Sequence, residues 1–191
     1  MNALLEAESL VGARGGRSLF GPLDIALSPG SALVIGGANG TGKSTLLRVL
    51  AGLLAPEAGA VRVSAALRYL GHHDAVKPAL TVTENLTFWQ RFHGSVVSPA
   101  PLAALGLERL AAMPARYLSA GQRRRLALAC ALDTAAPIWL LDEPTNGLDA
   151  ASIEKLEAAV KQHRRTGGAV AVATHVTLRL SDTRRLELGR S

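Results

Sequence analysis

Between an apolar run and an amphipathic one lie eight residues, Gly37, Ala38, Asn39, Gly40, Thr41, Gly42, Lys43 and Ser44, that match G-x-x-x-x-G-K-[ST] at every fixed position. The pattern is that of a loop that holds a phosphate chain. Gly37, Gly40 and Gly42 let the backbone turn where a Cβ would obstruct it, so that successive N–H groups converge on phosphate oxygens. Lys43 is placed to reach the β- and γ-phosphates and the Ser44 hydroxyl to bind Mg²⁺, with Thr45 next to them among the binding residues. An ordinary glycine-rich turn capped by Ser44 is the plainer reading. The strand pattern before the loop and the helix pattern after it speak against that.

A second group of chemical residues ends an apolar run, Pro137 to Leu141, with Asp142 and Glu143. Mg²⁺ favours carboxylate oxygen and retained water, so Asp142 suits the metal through a water. Glu143 suits polarising a water for attack on the γ-phosphate, a general-base role. In isolation such an acid pair more often caps a following helix; in a chain with a phosphate loop the catalytic reading is preferred. His175 follows another apolar run, Ala169 to Ala173, and is placed to hydrogen-bond the γ-phosphate. A lone histidine after a strand is more commonly structural, so its role depends on the rest of the group.

The elements that must position these residues follow from periodicity. Ala32 to Ile35 reads as a buried strand and Ser44 to Ala51 as a helix whose positive end faces the anion. Leu67 to Gly71, Ile138 to Leu141 and Ala169 to Ala173 read as further buried parallel strands. Short runs at Ala3 to Glu8, Leu23 to Leu27 and Ala60 to Val63, with turn signals at Gly15-Gly16, Gly21-Pro22 and Pro29-Gly30, predict an antiparallel sheet wrapped around the loop unit. The stretch from about Ala75 to Ala131 reads as helical, one helix starting at Thr81 or Thr83 with Glu84, another within Pro99 to Leu110, a third led by Gly121. The expectation is a doubly wound α/β core with a helical insertion, in which ligands collect beyond the carboxyl ends of the strands.

The chain's 191 residues suffice for one domain with a full core and no disulfides, and the single Cys130 sits in an apolar run as a packing residue of a protein kept in a reducing compartment. The N-terminus has no basic segment followed by an apolar run, which predicts a cytoplasmic chain, and the apolar stretch Leu126 to Leu141 is interrupted by Asp133 and Pro137. A net charge of +6 is spread over short groups, Arg123-Arg124-Arg125, Arg164-Arg165 and Arg184-Arg185, with few aromatics to stack bases. These arginines read mostly as solvated helix faces, and no nucleic acid is expected as a partner.

Leu118-Ser119-Ala120-Gly121-Gln122, followed by Arg125, resembles the L-S-G-G-Q signature of the ATP-binding cassette (ABC) ATPases. With Asn146-Gly147-Leu148-Asp149 and His175, the order of motifs is that family's. The resemblance implies an α/β fold of P-loop, ABC-ATPase type, a single domain over 1–191. Its antiparallel β and phosphate-loop core would span about 1–73 and 132–191, and its helical subdomain about 74–131. It also implies ATP and Mg²⁺ as cofactors and hydrolysis of ATP to ADP and phosphate coupled to transport. Ser119, Ala120, Gly121 and Gln122 would meet the ATP held by a second copy of the chain, with Asp149 also at that site. Over nearly the whole chain, Arg14 to Phe20, Tyr69 to His72, Lys77 to Leu86 and the Ala120 variant of the signature are similar to the ATP-binding subunits of bacterial cytochrome c maturation systems. That narrower family implies haem export or release of the haem chaperone CcmE. It implies peripheral attachment to the cytoplasmic face of the inner membrane, a membrane-spanning CcmB-like permease as partner, and CcmC and CcmD as associates. An ABC transporter ATPase with another cargo is the alternative. A DNA or ribosome ATPase fits less well, since Ser44 and Ser119 are only 75 positions apart with no heptad run between them.

Two departures from the family pattern stand out. His73 holds the place of the usual glutamine after the strand that follows the phosphate loop, and is expected to act on the catalytic site through water, making turnover sensitive to pH. No aromatic residue lies between Leu10 and Arg17 to stack adenine, so the planar guanidinium of Arg14 or Arg17 is expected to do so, which leaves ATP over GTP the less secure preference.

Overall fold

The computed structural model of the chain describes residues 3–132 and 135–189, apart from the side chains of Arg14 and Arg17. Strands β1 (Leu5–Arg14) and β2 (Arg17–Leu27) form a hairpin closed by Gly15 and Gly16 at φ 59° and 75°, the left-handed pair that a two-residue turn requires. Strand β3 (Ala32–Gly36) leads through the phosphate loop into helix α1 (Lys43–Leu50), and β4 (Ala58–Val63) returns to β1 in an antiparallel sheet of order β2-β1-β4. The second sheet is parallel throughout. Its order is β5-β6-β7-β3-β8, from β5 (Leu67–Leu70), β6 (Ile138–Asp142), β7 (Ala169–Ala173), β3 and β8 (Thr183–Glu187).

Alternation along the central strands divides the core into two layers. Ile138 and Leu140 of β6, with Ala169, Ala171 and Ala173 of β7, pack towards α1 and the antiparallel sheet. Trp139, Leu141, Val170 and Val172 face the other way, into helices α2 (Val82–Phe92), α4 (Ala120–Ala131) and α5 (Ala150–Arg165), with the short α3 (Ala100–Ala104) at the edge. Both faces of β6 and β7 are therefore buried, which is why they read as unbroken apolar runs. The α/β expectation, a parallel core with an antiparallel sheet and a helical insertion, matches this architecture.

Local chemistry explains the element ends. Thr81, not Thr83, is the N-cap of α2: its hydroxyl accepts from the Glu84 N–H at 3.2 Å and the Glu84 carboxylate accepts from the Thr81 N–H at 2.7 Å. Fully buried Asn85 then ties the preceding loop to the helix, accepting from the Lys77 N–H and donating to the Lys77, Leu80 and Thr81 carbonyls. Two elements lay outside the sequence expectation. Helix α5 carries a recognisable signal, buried Ser152, Leu156, Val160 and His163 on one face at helical spacing. Strand β8, Thr-Arg-Arg-Leu-Glu, carries none, because it is an edge strand largely open to solvent.

The arginines need correction too. Arg184 and Arg185 are exposed but lie on β8 rather than on a helix. Arg124 is 5% exposed, and Arg125 donates to the Leu105 and Gly106 carbonyls. Arg164 donates to the carbonyls of Gly30, Ser181 and Asp182. These three work as internal fasteners because a guanidinium carries five donors in a fixed fork that can satisfy several loop carbonyls at once.

Candidate functional site

The phosphate loop hangs from the carboxyl end of β3. Gly37, Gly40 and Gly42 have φ of 130°, 84° and 101°, and a Cβ on Gly37 would come within 2.6 Å of the Leu188 carbonyl oxygen. These positions therefore require glycine for conformation, and Gly37 for space as well. Lys43 opens α1, one residue earlier than the periodicity suggests, and is only 7% exposed. Its Nζ donates to the Gly37 and Ala38 carbonyls at 2.8 and 3.1 Å, so the ammonium already lies over the loop. Thr41 donates its hydroxyl to the Ala38 carbonyl and steadies the same turn. Asn39 and Thr45 line the cleft above, which has a volume of about 470 Å³.

Opposite the loop, β6 delivers two acids in different environments. Asp142 is fully buried and accepts from the Ser44 hydroxyl at 3.0 Å through Oδ1. Glu143 turns out of the strand at φ 46°, an uncommon conformation for a residue with a Cβ, and its N–H donates to the Ala173 carbonyl at 2.8 Å. The turn aims its side chain into the cleft, where Oε2 lies 2.9 Å from His175 Nδ1. His175 remains 60% exposed while Glu143 is 7% exposed, so the pair joins an open ring to a sheltered carboxylate.

The histidine expected to stand in for glutamine is displaced by one residue. His72, not His73, faces the site: its Nε2 is 2.9 Å from Ser44 Oγ and 3.2 Å from Asp142 Oδ2. His73 lines a separate groove with Arg68, Trp89 and Cys130. The segment beyond β5 that carries the two histidines is tied to the helices. Arg124 donates to the Gly71 carbonyl and to Asp74 Oδ1, Trp89 donates to the Ala75 carbonyl, and Asn85 holds Lys77. The same Arg124 donates its other nitrogen to the Asp142 and Glu143 carbonyls at 3.2 and 2.8 Å. Sequence inspection missed this residue. In the sequence it reads, with Arg123 and Arg125, as part of a solvated helix face.

Ser119 and Gln122 form a capping box at the start of α4, the hydroxyl accepting from the Gln122 N–H at 3.2 Å and the side-chain carbonyl from the Ser119 N–H at 2.9 Å. The first-turn N–H groups of Ala120 and Gly121 have no intrahelical partner to claim them. A Cβ on Gly121 would stand 3.0 Å from the Gly147 carbonyl oxygen, so glycine lets the loop after Glu143 lie against the signature. Asp149 caps α5 by accepting from the Ser152 N–H at 2.8 Å, and its hydrogen bonds to Ser152 hold its carboxyl below the usual range. None of Ser119, Ala120, Gly121, Gln122 and Asp149 lines the cleft that contains Lys43, whereas Leu19 and Asn146 do, the latter read from the sequence only as part of the motif that ends at Asp149. The adenine-stacking expectation for Arg14 or Arg17 falls on side chains outside the described set.

Comparison with known proteins narrows these observations. The ABC transporter family model matches residues 20–146. The cytochrome c biogenesis ATP-binding export protein CcmA of Brucella abortus (strain 2308) is 47% identical over 92% of this chain and 87% of its own length. CcmA of Paramagnetospirillum magneticum is 46% identical over 98% of this chain and 94% of its own. Among solved structures, the ATP-binding subunit of an ABC transporter superposes with a TM-score of 0.86 at 22% identity, covering 97% of this chain and 85% of that one. A dimeric ATP-binding cassette bound to ADP and Pi gives 0.80 at 24%, covering 96% and 94%. A glycine-shaped phosphate loop, a sheltered acid pair on the adjoining sheet and these likenesses in sequence and fold lead to one assignment: the chain belongs to the ABC transporter family of ATP-binding proteins.

Proposed function

We propose that this chain is the ATP-hydrolysing subunit of a cytochrome c biogenesis export complex. The observation that carries the reading is the 47% identity to CcmA over nearly the full length of both chains. ATP is held by the N–H groups of residues 37 to 45 and by the Lys43 ammonium, which exchanges its loop carbonyls for phosphate oxygens. The donor set at Ser44 and buried Asp142 fits Mg²⁺, a hard ion that takes hydroxyl, carboxylate and water oxygen. When bound with nucleotide, Mg²⁺ neutralises phosphate charge and orients the terminal phosphoryl group.

The remaining work falls to side chains of the chain itself. Glu143 accepts a proton from the attacking water, and its sheltered carboxylate, turned out of β6, is in position to do so. His175, paired with Glu143, holds that carboxylate in orientation and offers its exposed edge to the γ-phosphate. The signature residues Ser119 to Gln122, together with Asp149, do not line the cleft that holds Lys43, which supports a site completed by a second copy of the chain. Among the described residues no helix is long and apolar enough to cross a membrane, and a membrane-spanning CcmB-like permease, with CcmC and CcmD, is the partner that the reading requires at the cytoplasmic face of the inner membrane.

Affinity purification of the chain from detergent-solubilised membranes tests this reading. Recovery of a CcmB-like permease with ATPase activity is the expected result. A solute permease in its place would overturn the assignment to cytochrome c biogenesis.

A further inference from the structure

Three donor groups meet on the floor of the cleft, and one is a nitrogen. Ser44 Oγ stands 3.0 Å from Asp142 Oδ1, while His72 Nε2 stands 2.9 Å from Ser44 Oγ and 3.2 Å from Asp142 Oδ2. Adjacent donors around an octahedral ion with bonds of about 2.1 Å lie about 3.0 Å apart. Ser44 Oγ and His72 Nε2 are thus spaced as hydrogen-bond partners and equally as adjacent ligands of one ion. Asp142, fully buried below them, meets each with a different carboxylate oxygen and suits the ion through water, and the 43%-exposed His72 ring leaves its upper side open to the cleft. Among the described residues no three His, Cys, Asp or Glu side chains cluster to hold an ion unaided, so the other ligands must come from phosphate and water.

The position of His72 is built rather than incidental. Arg124, itself buried, grips the carbonyl of Gly71 on one side of His72 and the carboxylate of Asp74 on the other, while its second nitrogen holds the carbonyl of Asp142. One guanidinium therefore fixes the ring-bearing segment and the carboxylate-bearing strand relative to each other. A neutral imidazole with its proton on Nδ1 presents the Nε2 lone pair to an ion. Mg²⁺ strongly prefers oxygen, whereas imidazole suits divalent ions such as Fe²⁺, Ni²⁺ and Zn²⁺, and Mn²⁺ stands between the two.

We propose that His72 Nε2 is a direct ligand of the divalent cation that accompanies the nucleotide, and that this nitrogen shifts the site from Mg²⁺ towards transition-metal ions such as Mn²⁺. The proposal rests on the nucleotide-binding reading above. It makes His72 a determinant of cation choice, where an amide side chain would offer only oxygen.

Electron spin-echo spectroscopy of Mn²⁺ bound to the full chain with AMP-PCP, whose phosphate chain contains no nitrogen, tests the proposal. A directly coordinated ¹⁴N is expected in the native protein and in His73→Gln, and is expected to vanish in His72→Gln. Equilibrium dialysis should show the Mn²⁺-over-Mg²⁺ preference falling about tenfold in the same His72 variant. Native protein that binds Mn²⁺ and AMP-PCP without a coordinated nitrogen, or a nitrogen signal that survives His72→Gln, overturns the proposal and leaves the ATPase reading intact. Failure of the native chain to retain AMP-PCP with either ion would instead overturn the ATPase reading itself.

Discussion

Single side chains in this protein take their roles from the depth at which they sit. Glu143 and Asp142 are adjacent in sequence, yet one faces the cleft and the other is sealed beneath it. Glu143→Gln keeps the shape and removes the proposed proton acceptor, so phosphate release should fall by about 10² to 10⁴ while equilibrium dialysis shows nucleotide still bound. His163 shows burial acting on a base. It is 3% exposed, stacked on Trp139 at 3.7 Å between ring centroids, and donates to the Pro137 carbonyl at 3.2 Å. Desolvation lowers its pKa from the ordinary 6.5. A base lowered in the folded state stabilises the fold above the unfolded value, and that contribution is lost as the pH falls from about 6.5 towards the folded value. Urea unfolding of His163→Phe across pH 7 to 5 should therefore show a flatter pH dependence than the native chain. Cys130 follows the same logic: burial pushes its thiol up to about 12. At pH 8 its thiolate fraction is then about 10⁻⁴, so iodoacetamide should label it only after unfolding.

At the scale of elements, α4 is the part that connects. Its N-terminal turn carries the signature, and Arg124, one turn on, spans from the segment after β5 to the end of β6. Replacing Arg124 with Met keeps the bulk but removes four hydrogen bonds, two of them to the carbonyls of Asp142 and Glu143. The expected loss in urea-unfolding stability is about 3 kcal/mol, since buried acceptors are left unpaired. ATPase activity should fall further than stability explains, because Glu143 loses its brace. Asn85 acts similarly on the loop before α2, and Asn85→Ala should cost about 2 kcal/mol by the same measurement. The Thr81–Glu84 capping box holds the Glu84 carboxyl below its usual range, chiefly through the Thr81 N–H. Its contribution is present above the ordinary carboxylate range and is lost as the pH falls below about 4.

For the whole molecule, the arrangement of motifs matters more than their presence. The phosphate loop, Glu143 and His175 line one cleft with Asp142 buried beneath it, while none of Ser119 to Gln122 lines it. A second copy is the proposed source of the missing donors. In Glu143→Gln, where hydrolysis is blocked, sedimentation with saturating ATP should show a dimer that reverts to monomer when ATP is removed. A monomer under both conditions would overturn the shared-site arrangement.

Much of this was legible in the chain. Glycine spacing, buried apolar runs and the Thr81–Glu84 and Ser119–Gln122 pairs are local signals, and a local signal needs only neighbouring residues to be read. They were enough for the phosphate loop, the parallel core strands and the α/β class. What escaped depended on partners distant in sequence. Strand β8 is defined only by its pairing with β3, and Arg124 looks like any surface arginine until residues 50 and 19 positions away supply its acceptors. The choice between His72 and His73 is of the same kind. Adjacent residues of one type are equivalent in a sequence pattern, but in the fold the segment tied at Gly71, Asp74 and Ala75 turns His72 onto Ser44 and Asp142. The sequence by itself determined which loop has the glycine pattern of a phosphate site; the tertiary structure decided which histidine meets the carboxylate beside it, because that depends on contacts made across the fold.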